Sequence, residues 1–255
     1  MTQITLSILA GSSEHFAKPT SQADQNGRYS MHSFHISAKT DQATLANLPS
    51  IRFRPSVHLL SGDLVGAYVD LRCKFEDRPS FHLHETSSRI SDWVADTLKS
   101  VCKLATEDNM VERPIVLPLP AASFGNTDIV TTCSNVMANS RLCPQEFCFE
   151  LTDSALVEDP KHITAFFRSF RQRGFRIGVD ARKSWQANIA PSTWLMVDTL
   201  RVTLPTDHVD VDLVNQIEAA RAAGVAVVAE KVLWRDGERL ADLGIEYALD
   251  PRTDA

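Results

Sequence analysis

Residues 146–183 constrain the fold more than any other stretch of this chain: EFCFELTDSALVEDPKHITAFFRSFRQRGFRIGVDARK. An apolar run from Phe147 to Leu151 carries one carboxylate, Glu150. A capping signal follows, and then Ile163, Phe166, Phe167 and Phe170 recur at helical spacing. Gly174 closes that helix, and a second apolar run, Phe175 to Val179, delivers Asp180. The order is strand, helix, parallel strand, with an acid at or near the carboxyl end of each strand. In a barrel or an open α/β sheet, that edge is where sites are built.

The flanking sequence continues the alternation. Residues 51–75 read as an antiparallel hairpin turning at Ser61-Gly62-Asp63. Arg52, Arg54, Tyr68, Asp70 and Arg72 alternate with apolar residues and give it one polar face. Ser88 to Leu104 predicts a helix that buries Ile90, Trp93, Val94, Leu98, Val101, Cys102 and Ala105. Arg113 to Leu119 predicts a short strand that Pro118 and Pro120 end or confine to an edge. A helix is expected from Asn126 to about Ser140, and a buried strand from Trp194 to Thr203 carrying Asp198 and Arg201. A helix over 209–223 closed by Gly224, a strand over 225–233 carrying Glu230, a short helix closed by Gly244 and a last strand, IEYALD, complete the pattern. Such alternation predicts a parallel sheet closed into a barrel, and 255 residues is a common size for one. Residues 1–45 are polar and turn-rich after a possible short strand, Ile4 to Ala10. They are expected to form an N-terminal arm, with the main domain over 46–255.

A net charge of −6 argues against nonspecific binding to a nucleic acid polymer or an anionic membrane. No apolar window is long enough to span a bilayer. Five cysteines, an odd number without a CxxC pair, point to a reduced, cytoplasmic setting.

Several segments resemble, in order, the motifs of the EAL domains, modified (β/α)8 barrels with an antiparallel first hairpin that hydrolyse the bacterial second messenger cyclic di-GMP. ELTDSALVEDP resembles the family's ELTES segment, and FRIGVDARKS lies where RIALDDFGTG is expected. VDTLRV is similar to VDVLKID, VVAEKV to VVAEGVE, and FRPSVHLLSGDLVGAYVDLR to YQPIVDLATGEVVGVEALLR. The resemblance covers about 45–255. It implies a TIM-type barrel, and the few residues after IEYALD imply that the family's last helix is missing.

The resemblance also implies a site, and this chain departs from it. The family holds two divalent metals on hard oxygen ligands. Its signature glutamate falls at Tyr68, its ligand asparagine at Pro118, the second aspartate of its DDFG pair at Ala181 and a following glycine at Lys183. The lysine beside the attacking water falls at Arg201, and the aspartate after it at Thr203. Glu150, Asp180 and Glu230 survive. Arg72 matches an arginine that contacts phosphate, and Arg54 replaces a glutamine that contacts a base. On this count the chain is expected to be a degenerate member, not an enzyme, with no magnesium or manganese cofactor. Its surviving acids are expected to pair with Lys183, Arg201 or Arg72. The expected function is a regulatory module in bacterial signalling, of motility or biofilm type, that binds a protein partner. A cyclic di-GMP receptor that does not hydrolyse its ligand is the alternative, an active phosphodiesterase ranks below both, and a homodimer is compatible with each.

Other features read as structural. His82 and His84 alternate without a third metal ligand placed nearby, and Cys143 and Cys148 fill space. Trp93, Met137, Phe166, Phe167 and Phe170 read as core. Trp185, beside Lys183 in the loop after Asp180, reads equally as a contact residue or a plug.

Overall fold

The computed structural model describes residues 50–71, 86–158, 160–182, 189–204, 210–249 and 251. The expected arm over 1–45 lies outside the described residues, as do Arg72, Cys73, His82, His84, Lys183 and Trp185.

Eight strands close into a barrel in sequence order: β1 (Ile51–His58), β2 (Leu64–Leu71), β3 (Ile115–Pro118), β4 (Phe147–Thr152), β5 (Arg176–Asp180), β6 (Thr199–Thr203), β7 (Ala226–Glu230) and β8 (Tyr247–Leu249). β2 to β8 pair in parallel, each with the next. β1 is the exception. It pairs antiparallel with β2 on one side and with β8 on the other, and so closes the sheet. The carboxyl ends of β2 to β8 and the start of β1 therefore share one face of the barrel, its mouth.

Helices α1 (Thr86–Glu107), α2 (Asp128–Ala138), α3 (Asp153–Glu158), α4 (Pro160–Gln172), α5 (Pro191–Trp194), α6 (Val211–Ala222) and α7 (Gly237–Asp242) alternate with the strands. The face expected of α1 is the face it buries, from Ile90 and Trp93 to Cys102 and Ala105. Gly174, Gly224 and Gly244 follow α4, α6 and α7 with φ of 88°, 78° and 79°, a backbone region that carries a steric cost for any residue with a Cβ. One expected element divides. The run from Trp194 to Thr203 is not a single strand, because Pro191 opens a helical turn and the strand begins only at Thr199. Among the described residues, no helix is long and apolar enough to cross a membrane.

The core between barrel and helices is aromatic around α4. Phe147, Phe149, Phe167, Phe170 and Phe175 are all fully buried. Phe170 lies 4.9 Å from both Phe149 and Phe166 and 5.7 Å from Phe175, centroid to centroid. Inside the barrel, Tyr68, Val116, Cys148, Val228 and Leu249 form a second buried cluster. A Cβ at Gly178 would lie 2.7 Å from Thr199 Oγ1 and 3.2 Å from Cys148 Sγ, so this layer closes only because β5 has no side chain there. The interior below the mouth is thus filled with side chains rather than open.

Candidate functional site

Side chains of a strand alternate between the two faces of a sheet, so residues two apart share the barrel interior. Above Cys148 on β4 comes Glu150. Above Gly178 on β5 comes Asp180, above Thr199 on β6 comes Arg201, and above Val228 on β7 comes Glu230. Cross-strand register staggers them: Glu150 is opposite Gly178, Asp180 is opposite Arg201, and Arg201 is opposite Val228, one interior step below Glu230. Arg54 enters from β1.

These residues form one ion-paired lattice. The Arg201 guanidinium donates to Glu150 Oε2, and to Asp180 Oδ2 at 3.1 Å. It also approaches Glu230 Oε2 at 3.8 Å. Its carbon lies 5.0 Å from the centroid of the Tyr68 ring, a cation–π contact. Arg182, just past β5, forks onto Asp180: Nε donates to Oδ1 at 2.8 Å and Nη2 to Oδ2 at 2.7 Å. Its Nη1 donates to Glu230 Oε2 at 2.5 Å, and its backbone N–H caps Asp180 Oδ1 at 3.1 Å. Arg54 Nη1 donates to Glu230 Oε1 at 2.9 Å. Three guanidiniums balance three carboxylates. The acids lie deeper, with side-chain exposures of 1% for Glu150, 4% for Glu230 and 12% for Asp180, against 22% for Arg54 and 30% for Arg182. Arg54 and Arg182 therefore lie outside the acids they pair, while Arg201, 8% exposed, lies among them.

The environments split the acids. Burial pushes Glu150 up to about 7, aided by the charge of Asp180 and opposed by Arg201. Burial also raises Asp153, at the start of α3, to about 6, and Asp180 adds to that rise. Burial acts on Asp180 and Glu230 too, but there the guanidiniums win. Hydrogen bonds from Arg182 and the charge of Arg201 hold Asp180 below its ordinary value. Arg54, Arg182 and Arg201 do the same for Glu230. Glu150 Oε1, Asp153 Oδ2, Arg201 Nε and the Tyr68 hydroxyl are buried and make no hydrogen bond among the described residues.

A folded pKa above the unfolded value means that the folded state favours the proton. The stability tied to Glu150 is complete below its ordinary 4.5 and is lost as pH rises through about 7. Asp153 acts in the same direction. Urea midpoints are therefore expected to fall between pH 5 and pH 8, with up to about 3 kcal/mol traceable to Glu150. Glu150→Gln should remove most of that slope, and an unchanged slope in the variant would assign it elsewhere.

Of the residues singled out from the sequence, Glu150, Asp180, Arg201 and Glu230 converge. Lys183, Trp185 and Arg72 fall outside the described residues. Three participants were missed as partners of the surviving acids: Arg54, Arg182 and the buried Asp153. Asp198 lies at the opposite end of the barrel, before β6. There it accepts from Arg171 Nη1 at 2.6 and 2.7 Å and from the Ile177 N–H at 2.8 Å. A surface cavity of about 720 Å³ lies between α1 and α2 beside Lys99 and Lys103, on the outer layer.

A divalent ion requires several free oxygens converging on one point. In the arrangement described, Glu150 Oε2 and both oxygens of Asp180 and Glu230 are held by guanidiniums. These residues do not fit a metal while Arg182 and Arg201 stand between them. Among the described residues, no group of three or more His, Cys, Asp or Glu is disposed to hold one.

The family model for the EAL domain matches residues 40–248. An uncharacterized protein of Azorhizobium caulinodans is 25% identical over 203 residues, which are 72% of this chain and 28% of that relative's length. Among solved structures, the PaMucR phosphodiesterase in complex with c-di-GMP superposes with a TM-score of 0.65 at 19% identity, covering 78% of this chain and 92% of that one. The EAL domain of Mycobacterium smegmatis DcpA gives 0.62 at 18%, covering 78% and 88%. Klebsiella pneumoniae BlrP1, solved with manganese and cyclic di-GMP, gives 0.65 at 13%, covering 80% and 55%. These findings correct two expectations. The chain was expected not to be an enzyme, yet its family and its structural neighbours are those of phosphodiesterases. It was expected to take no metal cofactor, yet BlrP1 was solved with calcium and with manganese. Counting lost motif positions equated each with a lost function and overlooked that Asp153 brings the buried and half-buried carboxylates at this end of the barrel to four. With the barrel, the acids at its mouth and the family model in agreement, the chain belongs to the EAL domain family and is related to the cyclic di-GMP phosphodiesterases.

Proposed function

We propose that this EAL domain is a regulatory module of bacterial signalling that takes cyclic di-GMP at the mouth of its barrel. One observation carries the reading: the guanidiniums of Arg54 and Arg182 are more exposed at the mouth than the acids they pair, Asp180 and Glu230. A guanidinium fork matches a phosphodiester in geometry as well as charge, and cyclic di-GMP presents two phosphodiesters. Protonation of Glu150 below about 7 would remove one negative charge from the mouth and favour such an anion further. Calorimetric titration of the full chain with cyclic di-GMP, with and without manganese, tests this, with chromatography of each sample for the linear product. Saturable heat is expected, weakened about tenfold or more in Arg54→Ala, since a charge-assisted hydrogen bond is worth about 1.5–3 kcal/mol. Absence of heat under every condition overturns the reading. Linear product would add turnover to binding.

A protein-binding role is the second reading, expected first from the sequence. It is favoured by the β1–β2 turn, where Leu60 and Leu64 are 70% and 53% exposed. That turn lies at the end of the barrel away from the mouth, so a partner or a second copy held there would leave the nucleotide site open.

A further inference from the structure

Three sulfurs meet where α1 packs on α2, one from Cys102 on α1 and two from Cys133 and Met137 on α2. We propose that Cys102, Cys133 and Met137 form a binding site for a soft monovalent cation, copper(I), reached from the cavity between the two helices. All three lie in the second halves of their helices, which lead into the starts of β3 and β4. The site is therefore toward the end of the barrel away from the mouth, and the inference stands whether or not cyclic di-GMP binds.

Two observations lead there. First, the sulfurs have the spacing of ligands. The Cys102 thiol donates to Met137 Sδ with the two sulfurs 3.9 Å apart. Metal–sulfur bonds of about 2.3 Å in a trigonal plane place their sulfurs about 4 Å apart. Cys133 lies one helical turn before Met137 on the same buried face of α2. It is close enough to Cys102 for the charge of one thiolate to act on the other. Two thiols and a thioether are soft donors. Zinc takes thiolate, imidazole and carboxylate rather than thioether, so this set selects copper(I). Second, the sulfurs can be reached. Cys102 and Val136 line the cavity of about 720 Å³ between the helices, and Cys133 and Met137 are buried beside them. Lys99, Lys103 and Arg141 line it too and outnumber its one acid, Glu107. That balance suits the single negative charge that two thiolates and one copper(I) leave. Burial keeps both thiols protonated. It pushes Cys133 up to about 12, aided by the charge of Cys102, and it raises Cys102 as well. A buried thiol is inert until a thiophilic ion replaces its proton, so each copper(I) bound sends two protons to solvent.

The test is anaerobic competition between the reduced full-length chain and a coloured bathocuproine–copper(I) complex, read as loss of colour. The native chain is compared with Met137→Leu, which removes the sulfur and keeps the side-chain volume, and with Cys133→Ala. Cys143→Ala serves as the control, because that thiol is exposed and outside the site. Circular dichroism shows which variants are folded. The native chain is expected to take up one equivalent of copper(I), and Cys143→Ala to bind as tightly. Affinity should fall about tenfold or more in Met137→Leu, since losing a direct ligand costs at least what losing an outer-shell partner does. It should fall further in Cys133→Ala. Copper(I) should also raise the thermal midpoint of the native chain more than that of Met137→Leu. A native chain that leaves the competitor's colour unchanged overturns the proposal, as does Met137→Leu binding as tightly as the native chain. Loss of binding in Cys143→Ala overturns it too, because the ion would then sit on an adventitious surface thiol. Should Cys133→Ala not fold, Met137→Leu decides alone.

Discussion

Arg201→Met is expected to destabilise the barrel by about 3–5 kcal/mol at pH 8, the largest effect of any single change at the mouth. The size follows from what is left behind. Glu150 is 2% exposed and has no other hydrogen-bond donor among the described residues, so at pH 8 it would either stay charged and buried without its counter-ion or take up a proton against the solution pH, and each costs stability. Asp180 would keep Arg182 and Glu230 would keep Arg182 and Arg54, so the loss falls mainly on Glu150. Two comparisons separate this cause from lost packing against Tyr68. At pH 5 Glu150 carries its proton and the cost should shrink. In the pair Glu150→Gln with Arg201→Met, both members of the buried ion pair are gone and at least half of the stability should return. Urea unfolding followed by tryptophan fluorescence and circular dichroism reads both. A loss below about 1 kcal/mol, or a loss equal at pH 5 and pH 8, would show that Glu150 does not depend on this guanidinium.

Phe170→Ala is expected to cost a similar amount, about 3–5 kcal/mol, for an unrelated reason. Its ring is fully buried and stands among three others, Phe149, Phe166 and Phe175. Those neighbours sit on β4, on α4 and at the entry to β5, so the cavity would open where the crossover from β4 to β5 packs on the sheet. Interiors packed this densely relax only in part around a lost ring. Phe170→Leu should return most of the stability. Leu60→Ala, at a side chain 70% exposed, should change it by less than about 0.5 kcal/mol. Because whole domains are stable by only about 5–15 kcal/mol, Phe170→Ala should also lower the soluble yield. A cost under about 1.5 kcal/mol would mean that the ring cluster contributes little beyond filling space.

Much of this fold was legible because its signals are periodic and local. The buried face of α1, the hairpin at Gly62 and the glycines after α4, α6 and α7 need only spacing and the steric freedom of glycine. The run from Trp194 to Thr203 was misread because a short apolar stretch suits a buried helix end as well as a strand, and Pro191 at a helical first position decides it. At the mouth, motif matching found the acids because acids sit at fixed strand ends. It named Lys183, Arg201 or Arg72 as their partner cations; Arg201 does pair with Glu150 and Asp180, Lys183 and Arg72 lie outside the described residues, and Arg182 was passed over. The alternation of strand side chains held the missing partner. Gly178 and Asp180 face the interior, Ala181 is buried in the surrounding core, and the same parity returns Arg182 to the side of Asp180. Asp153 escaped notice because in sequence it is one more acid at the start of a helix, and only burial sets it apart.

The antiparallel seam between β1 and β8 bears on how the chain is made. Ser56, Val57 and His58 find their partners Leu249, Ala248 and Tyr247 only after the chain as far as β8 has left the ribosome. Until then, one side of the nascent hairpin and one side of β7 stand as open strand edges, the kind of surface that invites pairing with neighbouring chains. The last three strand residues thus act as a fastener for a sheet that is otherwise assembled, and synthesis halted just short of Tyr247 would release a product prone to stick to its own kind.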